Sequence, residues 1–325
     1  MRTFLPPSGV SFYGGMISET DHPNPSQIMH LGFEKNDTFA CLKSMHRIIL
    51  FLLFIIFLAI GASAQRASEI GLSLGGSYYL GELNPGKPFM YTEPAFGLLY
   101  RKNLNSRLAL QLHGFRGTLK GVDGSSSNFT DRNLNFSTNV TEIAGQFEVN
   151  FFDYFIGSQR NKITPYIFGG VGVFMFNPTG MLNGTKYKLR PMHTEGQGTD
   201  GGPKQYNLTQ LCFPFGIGMK YSLSKNIGLG LEWGMRKTTT DYIDDISGTY
   251  YLNLAGTDPA TASPVQLLSD PTLIHDAGMQ RGNSKNADWY SFAMISISFK
   301  FHMFEKEKCL DQHKYKSPKN KAARN

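Results

Sequence analysis

Hydrophobic and polar residues alternate along the chain in eight segments, each long enough to cross a membrane as a tilted β-strand. A spanning strand needs about 9 to 11 residues, and its side chains point alternately to two opposite faces. The segments are Glu69–Gly81, Glu93–Lys102, Arg107–Leu119, Asn139–Asp153, Ile163–Asn177, Thr209–Ser222, Ile227–Lys237 and Asp288–His302. This pattern predicts an all-β fold, an eight-stranded antiparallel transmembrane β-barrel of the outer-membrane type.

The fourth segment shows the alternation most clearly. One face carries Ile143, Gly145, Phe147, Val149 and Phe151, and the other carries Glu142, Ala144, Gln146, Glu148 and Asn150. A soluble β-sandwich would alternate in the same way, so the lengths of the connections decide between the two. The connections at 103–106, 154–162 and 223–226 are short, whereas those at 178–207 and 238–287 are long. Short turns at one end and long loops at the other are typical of bacterial barrels.

An apolar run, Ile48–Ala62, precedes the first strand and follows the basic residues Lys43 and Arg47. The run is too short for a comfortable spanning helix, and the Ala62-Ser63-Ala64 triplet predicts signal-peptide cleavage between Ala64 and Gln65. Residues 1–44 are interpreted as a disordered extension or the product of a start codon assigned too early, with an uncleaved anchor as the alternative. The signal peptide is then 45–64, the barrel 65–304, and 305–325 a basic disordered periplasmic tail.

The composition is compatible with this fold. The mean hydropathy is −0.25, which argues against a bundle of membrane helices but not against a barrel, because only alternate residues of a barrel face lipid. The formal charge of +7 comes from dispersed loop residues and the tail, without a basic stripe interleaved with aromatics, so no nucleic-acid partner is expected. The three cysteines are too far apart for a zinc or redox motif.

Charged residues on the inward faces are predicted to form a paired, structural network in the lumen. An eight-stranded barrel is narrow enough for side chains to fill it, and a narrow ion path is the alternative. The inward charges are Arg101, Glu142, Glu148, Lys220, Glu232, Arg236 and Lys300. Aromatic girdles at the two membrane interfaces are expected from Tyr78, Tyr79, Tyr100, Phe152, Tyr154, Tyr221, Trp289 and Tyr290.

Motifs for catalysis are weak, and no cofactor site, metal site or small-molecule substrate is predicted. The G-x-S-x-G match around Ser73 lies inside a strand, whereas a nucleophile elbow needs a strand-to-helix turn. Asp241, Asp244 and Asp245 form the densest acidic group, and such carboxylates could bind calcium. The preferred interpretation is local: these side chains cap turns and pair with Arg236 or Lys237.

Three stretches resemble the PorG-like family, outer-membrane barrels of Bacteroidetes associated with the type IX secretion system. They are residues 75–84, residues 238–250 with Asp241, Tyr242, Asp244, Asp245, Gly248 and Tyr250, and residues 281–290. The resemblance covers the chain from about Ile70 to Phe301, although Glu82 stands where the family commonly has Asp. It implies a structural or anchoring part in the secretion machinery, attached to a periplasmic ring lipoprotein and its partner.

The leading hypothesis is therefore a non-enzymatic, integral outer-membrane barrel, in contact with membrane lipid, that serves type IX protein secretion. A stand-alone barrel for adhesion or envelope integrity, acting through its long loops, is the alternative. A lipid-modifying enzyme that uses Ser73 ranks third, because no base or oxyanion donor can be placed beside that serine.

Overall fold

The computed structural model describes residues 68–123 and 131–301. In chain order the elements are β1 Ser68–Leu80, β2 Glu93–Asn103, β3 Leu108–Val122, β4 Asn135–Asn150, β5 Ile163–Met175, β6 Thr179–Leu182, β7 Thr185–Lys188, β8 Thr209–Ser222, β9 Ile227–Thr238, helix α1 Pro264–Ser269 and β10 Trp289–Phe301. No helix within these ranges is long and apolar enough to cross a membrane.

Eight of the strands close into an antiparallel barrel in the order β1-β2-β3-β4-β5-β8-β9-β10. The ring is completed by β1 and β10, which pair from Ser68 opposite Phe301 to Leu80 opposite Trp289. Each wall strand therefore has a partner on both sides, as a membrane requires, because lipid cannot hydrogen-bond to exposed backbone groups. The predicted fold class, an eight-stranded antiparallel barrel of the outer-membrane type, is confirmed.

The strand positions agree with the alternating segments of the sequence. The strand β8 matches its predicted range at both ends, whereas β4 begins at Asn135 rather than Asn139. The extra residues of β4 continue its pairing with β3, and Ser137 also pairs with Thr179 of β6. The hairpin β6–β7 and the helix α1 lie in long connections for which the sequence predicted no elements.

The outward face of the wall is apolar and exposed, and the inward face is polar and buried. Leu74 is 69% exposed and Ile295 is 64% exposed, although both are large aliphatic side chains. Their neighbours along the same strands, Ser73 and Met294, are buried in the lumen. A continuous band of exposed aliphatic and aromatic side chains is unfavourable in water and fits the hydrocarbon of a bilayer.

The two ends of the barrel differ in their connections. One end, called here the loop end, carries residues 81–92, 131–134, 176–208 and 239–288, and the other, the turn end, carries 104–107, 151–162 and 223–226. The asymmetry is weaker than the sequence suggested at 151–162, because this connection is as long as 81–92. The expected signal peptide with its Ala64–Gln65 cleavage point, the extension 1–44 and the basic tail lie outside the described residues.

Placing a charge in the apolar band tests the lipid-facing assignment. We expect Ile295→Arg to lower the free energy of unfolding by about 2–4 kcal/mol, because Ile295 lies near the middle of β10 and its side chain faces outward. Urea unfolding of the barrel in phospholipid vesicles measures this value. The control, Thr185→Arg on the exposed β6–β7 hairpin, should change it by less than about 0.5 kcal/mol. Equal effects of the two substitutions would contradict the assignment.

Candidate functional site

The lumen near the turn end holds a buried charge network around Glu148. Arg101 Nε donates to Glu148 Oε2 at 2.9 Å, and its Nη1 donates to Glu69 Oε2 at 2.8 Å. Lys220 donates to the same Glu148 carboxylate and, at 3.0 Å, to Asn150 Oδ1. Because two cations share two carboxylates, the network is balanced in charge and its hydrogen-bonding groups are used.

A second network surrounds Glu142 nearer the loop end. The Glu142 carboxylate accepts from Arg236 Nε at 3.3 Å and from the Tyr290 hydroxyl at 2.6 Å, and His113 Nε2 lies 2.6 Å from Glu142 Oε1. The guanidinium of Arg236 also lies 4.9 Å from the centre of the Phe292 ring. Glutamate, arginine and histidine are thus fixed together in a space from which water is excluded.

Six of the seven predicted inward charges are buried inside the barrel, and Lys300 is half-buried near the turn end; the six are Arg101, Glu142, Glu148, Lys220, Glu232 and Arg236. Glu232 lies between the two networks: Gln111, which accepts from Arg101 at 2.6 Å, donates to Glu232 at 3.4 Å, and Arg236 Nη2 lies 3.9 Å from Glu232 Oε1. Aromatic rings from Phe115, Tyr166, Phe168 and Phe292 are buried among these charges. The lumen is accordingly filled by side chains, and the ion-path interpretation has no support in this geometry.

Three aromatics expected in the girdles point into the barrel instead. Tyr79, Tyr154 and Tyr290 are buried, and Tyr79 and Tyr290 are partners in the β1–β10 register. At the loop end, Tyr78 of the expected girdle is joined by two aromatics that the sequence did not single out: Trp233 Nε1 donates to the Tyr78 hydroxyl at 2.9 Å, and the Phe89 ring lies 4.9 Å from the Tyr78 ring. An outward tyrosine and an inward one follow each other in β1, so composition alone could not assign their faces.

The long connections of the loop end fold over the barrel mouth as a lid, defined here as residues 131–134, 176–208 and 239–288. Arg281 is its central residue. Its Nη1 donates to Glu195 Oε1 at 2.8 Å and to the Asp245 carbonyl at 2.7 Å, and its Nε donates to the Ser269 carbonyl at 3.1 Å. Arg132 adds a bidentate pair with Asp123 and donates to the Arg281 carbonyl. The three connections of the lid are thereby joined at one buried position.

The run 241–250, which carries the family resemblance, is fixed by side chains from the other connections. Asp245, with φ of 67°, accepts from the hydroxyls of Thr194 at 2.5 Å and Tyr206 at 2.7 Å. The Glu195 carboxylate accepts from the backbone nitrogens of Ser247 and Gly248, each at 3.0 Å. Sequence reasoning missed Glu195, since nothing near it in the chain marks it as different from other loop glutamates.

The two aromatic residues of the run pack against rings from elsewhere in the lid. Tyr242 stacks on Tyr206 at 4.7 Å, and Tyr250 stacks on His275 at 4.3 Å. The Gly248 carbonyl accepts from the backbone nitrogens of Arg281 and Gly282. A Cβ on Gly282 would lie 2.8 Å from the Ser247 backbone, so this close approach requires glycine. The motif residues are therefore internal to the lid.

A second acidic group, called here the acid cluster, consists of Glu82, Asp244 and Asp288, whose carboxylate oxygens lie within 4.8 Å of one another. Such a group could hold a hard cation. The aspartates, however, are already tied to protein groups: the single Tyr79 hydroxyl lies 2.7 Å from Asp244 Oδ2 and 2.5 Å from Asp288 Oδ1, and its one proton serves one of them at a time. The second oxygen of Asp244 accepts from Ile246 N, and that of Asp288 accepts from Ile243 N. The arrangement fastens the lid to β1.

The aspartates that the sequence grouped as a calcium candidate therefore separate. Asp244 joins the acid cluster, Asp245 joins Thr194 and Tyr206, and Asp241 is half-buried at the lid edge. The suggested pairing with Arg236 is wrong, because Arg236 is bound to Glu142 in the lumen.

Burial changes the protonation of the lid aspartates. It raises the pKa of Asp241 to about 8, with the negative charge of Glu82 adding to the effect. Burial likewise raises the pKa of Asp245 to about 6, although the Arg281 guanidinium opposes the shift. The pKa values of Asp244 and Asp288 also lie above the ordinary range, because both are buried beside other carboxylates. Asp244 and Asp288 are thus favoured as neutral acids.

The G-x-S-x-G serine has no catalytic surroundings. Ser73 is buried in the middle of β1, which continues as a strand to Leu80, and its hydroxyl has no hydrogen-bond partner within the described residues. His113, a histidine of β3, is held by Glu142 and stacks on Phe115 at 4.1 Å. A serine with neither a base nor a strand-to-helix turn lacks what a nucleophile elbow needs.

Comparison with known proteins gives one family and a set of distant barrels. The sequence model of the family described as Domain of unknown function (DUF6089) matches residues 46–252. No curated protein matches the chain in sequence.

Solved structures similar to the chain include three bacterial surface barrels. The N-terminal β-barrel domain of Pseudomonas aeruginosa OprF is 12% identical with a TM-score of 0.32, over 74% of this chain and 100% of that one. Neisserial surface protein A and Ail, the attachment invasion locus protein of Yersinia pestis, are each 9% identical with TM-scores of 0.36, over 73% of this chain and 100% of theirs. These similarities are too distant to add to the fold read from the strand register.

Removing the shared carboxylate of the lumen should destabilise the barrel. We expect Glu148→Gln to lower the free energy of unfolding by about 3–5 kcal/mol, because Arg101 and Lys220 would lose their common buried partner. The control, Glu93→Gln, removes a partly exposed pair with Lys120 and should cost less than about 1 kcal/mol. Urea unfolding in vesicles measures the free energy of unfolding of both variants. Similar losses in the two variants would contradict a network that is shielded from water.

The raised pKa values predict that the lid loosens as the pH rises. A group with a raised folded-state pKa stabilises the folded lid fully below its ordinary pKa, here 3.8, and this contribution is lost as the pH rises through the folded value, about 8 for Asp241. We expect amide exchange in 239–288, corrected for its intrinsic pH dependence, to become faster between pH 5 and pH 9.

The substitution Asp241→Asn should flatten the upper part of this dependence, because the asparagine side chain does not titrate. Asp200→Asn, at an exposed aspartate of the same lid, is the matched control and should leave the profile unchanged. If the protection of these amides from exchange increased with pH, the lid would not be stabilised by protonated aspartates.

Proposed function

The chain belongs to the family described as Domain of unknown function (DUF6089), and we propose that it is a non-enzymatic outer-membrane barrel that anchors a protein-secretion machine. The observation that carries the proposal is the closed mouth. Buried charges and rings fill the lumen, and Arg281 joins the segments of the lid above it. A filled and covered barrel is poorly suited to conduct cargo or to process a substrate, which leaves its outer wall and two rims as working surfaces.

The placement in an outer membrane is supported by the wall and by the connections. The apolar band needs lipid, and the closed sheet leaves no unpaired edge within the wall. Long loops at one end and shorter turns at the other correspond to the outside and the periplasm in bacterial barrels. The turn end then faces the periplasm, where a ring lipoprotein would be met.

The assignment to the type IX secretion machinery is supported by the resemblance of residues 238–250 to PorG-like barrels. In this chain the same run provides Asp244 and Asp245, which fix the lid through Tyr79, Thr194 and Tyr206. Because this run holds the lid together, barrels that share the run are expected to share the lid. The resemblance therefore favours a shared architecture, and with it a shared role as a structural component.

The turn end presents a basic surface, held by hydrogen bonds between its turns, that a periplasmic partner could bind. Two neighbouring turns are held together because Gly157 N donates to Ser222 Oγ at 2.8 Å and Lys300 Nζ donates to the Ile156 carbonyl at 3.2 Å. Exposed cations project from these turns; they are Arg160, Lys162 and Lys225. Such a surface fits an acidic face on a ring component.

Charge reversal at the two ends of the barrel tests this role. The full chain, tagged and extracted from outer membranes in mild detergent, should recover the ring lipoprotein and its partner. Arg160→Glu with Lys162→Glu should reduce this recovery about tenfold, because like charges would then face the partner. Lys186→Glu with Lys188→Glu, the same change on the hairpin at the loop end, should leave it unchanged.

A clean deletion of the protein should also abolish surface display of secreted cargo. A partnerless barrel, together with normal secretion in the deletion strain, would reject the machine role.

A stand-alone role in adhesion or envelope integrity is favoured by one observation. The lid exposes large apolar side chains away from the wall, including Tyr251, Ile274 and Met279. Exposed apolar groups on an outer surface are suited to contact another surface. This alternative predicts changed attachment or detergent sensitivity in the deletion strain while secretion remains intact.

A further inference from the structure

A groove of about 630 Å³ lies on the outer wall at the loop end, where β1, β9 and β10 meet the segment 280–287. Its base is a row across three neighbouring strands, because Leu80 pairs with Trp289 and Trp289 pairs with Lys237. The next row, Tyr79 and its partners, points into the lumen, so the groove row faces outward. The groove is therefore open to whatever surrounds the barrel at this height.

The aromatic girdle sets the height of the groove relative to the membrane. Trp289 packs edge-on against Phe215 at 5.9 Å, and Trp233 is fixed by the Tyr78 hydroxyl in the same region of the wall. Farther from the loop end, the outward positions are aliphatic, as at Ile295. Tryptophans of a girdle lie at the level of the lipid headgroups, so the groove is at headgroup level and not in the hydrocarbon.

Two lysines face the groove without an anionic partner. Lys237 and Lys285 are exposed and form no ion pair within the described residues, and the Lys237 ammonium lies 5.7 Å from the centre of the Trp289 ring. The one carboxylate in the lining is Glu82, which accepts from Asn283 N at 3.2 Å. Two unpaired ammonium groups at headgroup level are complementary to lipid phosphate.

The remaining polar lining suits a sugar. Asn283 and Asn286 bring amide side chains to the groove, and the Glu82 carboxylate can accept a hydrogen bond from a sugar hydroxyl. The segment that carries them is preformed, because Asn286 N donates to the Asn283 carbonyl at 3.1 Å and Lys285 N donates to Asn283 Oδ1 at 3.3 Å. The groove on the outer wall is thus lined by ammonium groups that can bind phosphate and by amides that can bind sugar hydroxyls.

We infer that this groove binds the phosphorylated sugar headgroup of a glycolipid in the outer leaflet. The inference rests on the membrane placement given under the proposed function, but not on the secretion role. Lys237 and Lys285 contact the phosphate, the amides of Asn283 and Asn286 contact sugar hydroxyls, and Leu80 with Trp289 borders the first methylenes of the acyl chains. A simple phospholipid offers the phosphate but lacks the sugar.

The test uses the full barrel, purified in detergent and shown to be folded by its heat-dependent gel mobility. Phosphatidylcholine vesicles containing diphosphoryl lipid A, the same lipid A without phosphate, or phosphatidylglycerol are the three probes. Lipid retained by the protein is counted by native mass spectrometry. We expect retention of diphosphoryl lipid A at least tenfold above that of the other two probes.

The double variant Lys237→Gln with Lys285→Gln should lose about tenfold in this retention, because each ammonium near the membrane surface contributes to binding an anionic lipid. Lys186→Gln with Lys188→Gln removes the same charge from the exposed β6–β7 hairpin and should keep the wild-type value. Equal losses of lipid A retention in both double variants would show that retention depends only on the net charge of the protein. That result would overturn the inference that the groove binds the lipid.

Two further outcomes would also overturn the inference. Equal retention of lipid A with and without phosphate would remove the role of the lysines, and a preference for phosphatidylglycerol would assign the groove to phospholipid. Because the assay contains no secretion component, a negative result on folded barrel leaves the machine role intact. A failure to recover ring components from cells, in turn, leaves the lipid result intact.

Discussion

The pairing of β1 with β10 is the constraint on which the rest of this structure depends. It joins the two ends of the sheet from Ser68 opposite Phe301 to Leu80 opposite Trp289, and it removes the last unpaired backbone edge from the wall. Only a closed sheet can place its outward side chains in lipid, because lipid offers no hydrogen bonds to backbone groups. Closure also fixes a narrow interior, so the polar side chains that face inward must satisfy one another.

The interior meets most of this requirement with charges that share partners, and Arg236 Nη2 and Glu232 Oε1, which form no hydrogen bond among the described residues, still face each other at 3.9 Å. Glu148 lies between Arg101 and Lys220, and Glu142 lies among Arg236, His113 and Tyr290. A buried ion is tolerable only when its charge and hydrogen-bonding capacity are both met, and removing one member leaves an uncompensated charge. Such a lumen stabilises one register of the eight strands. The same side chains fill the interior and leave no open channel through it.

Alternation specified the wall but not the lid. The strand β8 alternates throughout its length, so both of its ends followed from the sequence, and the inward charges followed from the same parity. The hairpin β6–β7 has only four residues in each strand, which is too short for a periodic signal. Asp244 and Asp245 are adjacent in sequence yet have different surroundings, because Tyr79, the partner of Asp244, and Thr194 and Tyr206, the partners of Asp245, come from distant segments. No local pattern contains that information.

Two tyrosines show how lid and wall become one unit. Tyr79 and Tyr290 are partners in the β1–β10 register, and both side chains point inward. The Tyr79 hydroxyl is within hydrogen-bonding distance of Asp244 and Asp288 above it, whereas the Tyr290 hydroxyl donates to Glu142 in the lumen. The same strand pair that closes the sheet therefore connects the acid cluster of the lid to the charge network of the barrel. Loosening of the lid would therefore release the contacts of Tyr79 at the junction of β1 and β10. The same junction, at Leu80 and Trp289, borders the lipid-facing groove.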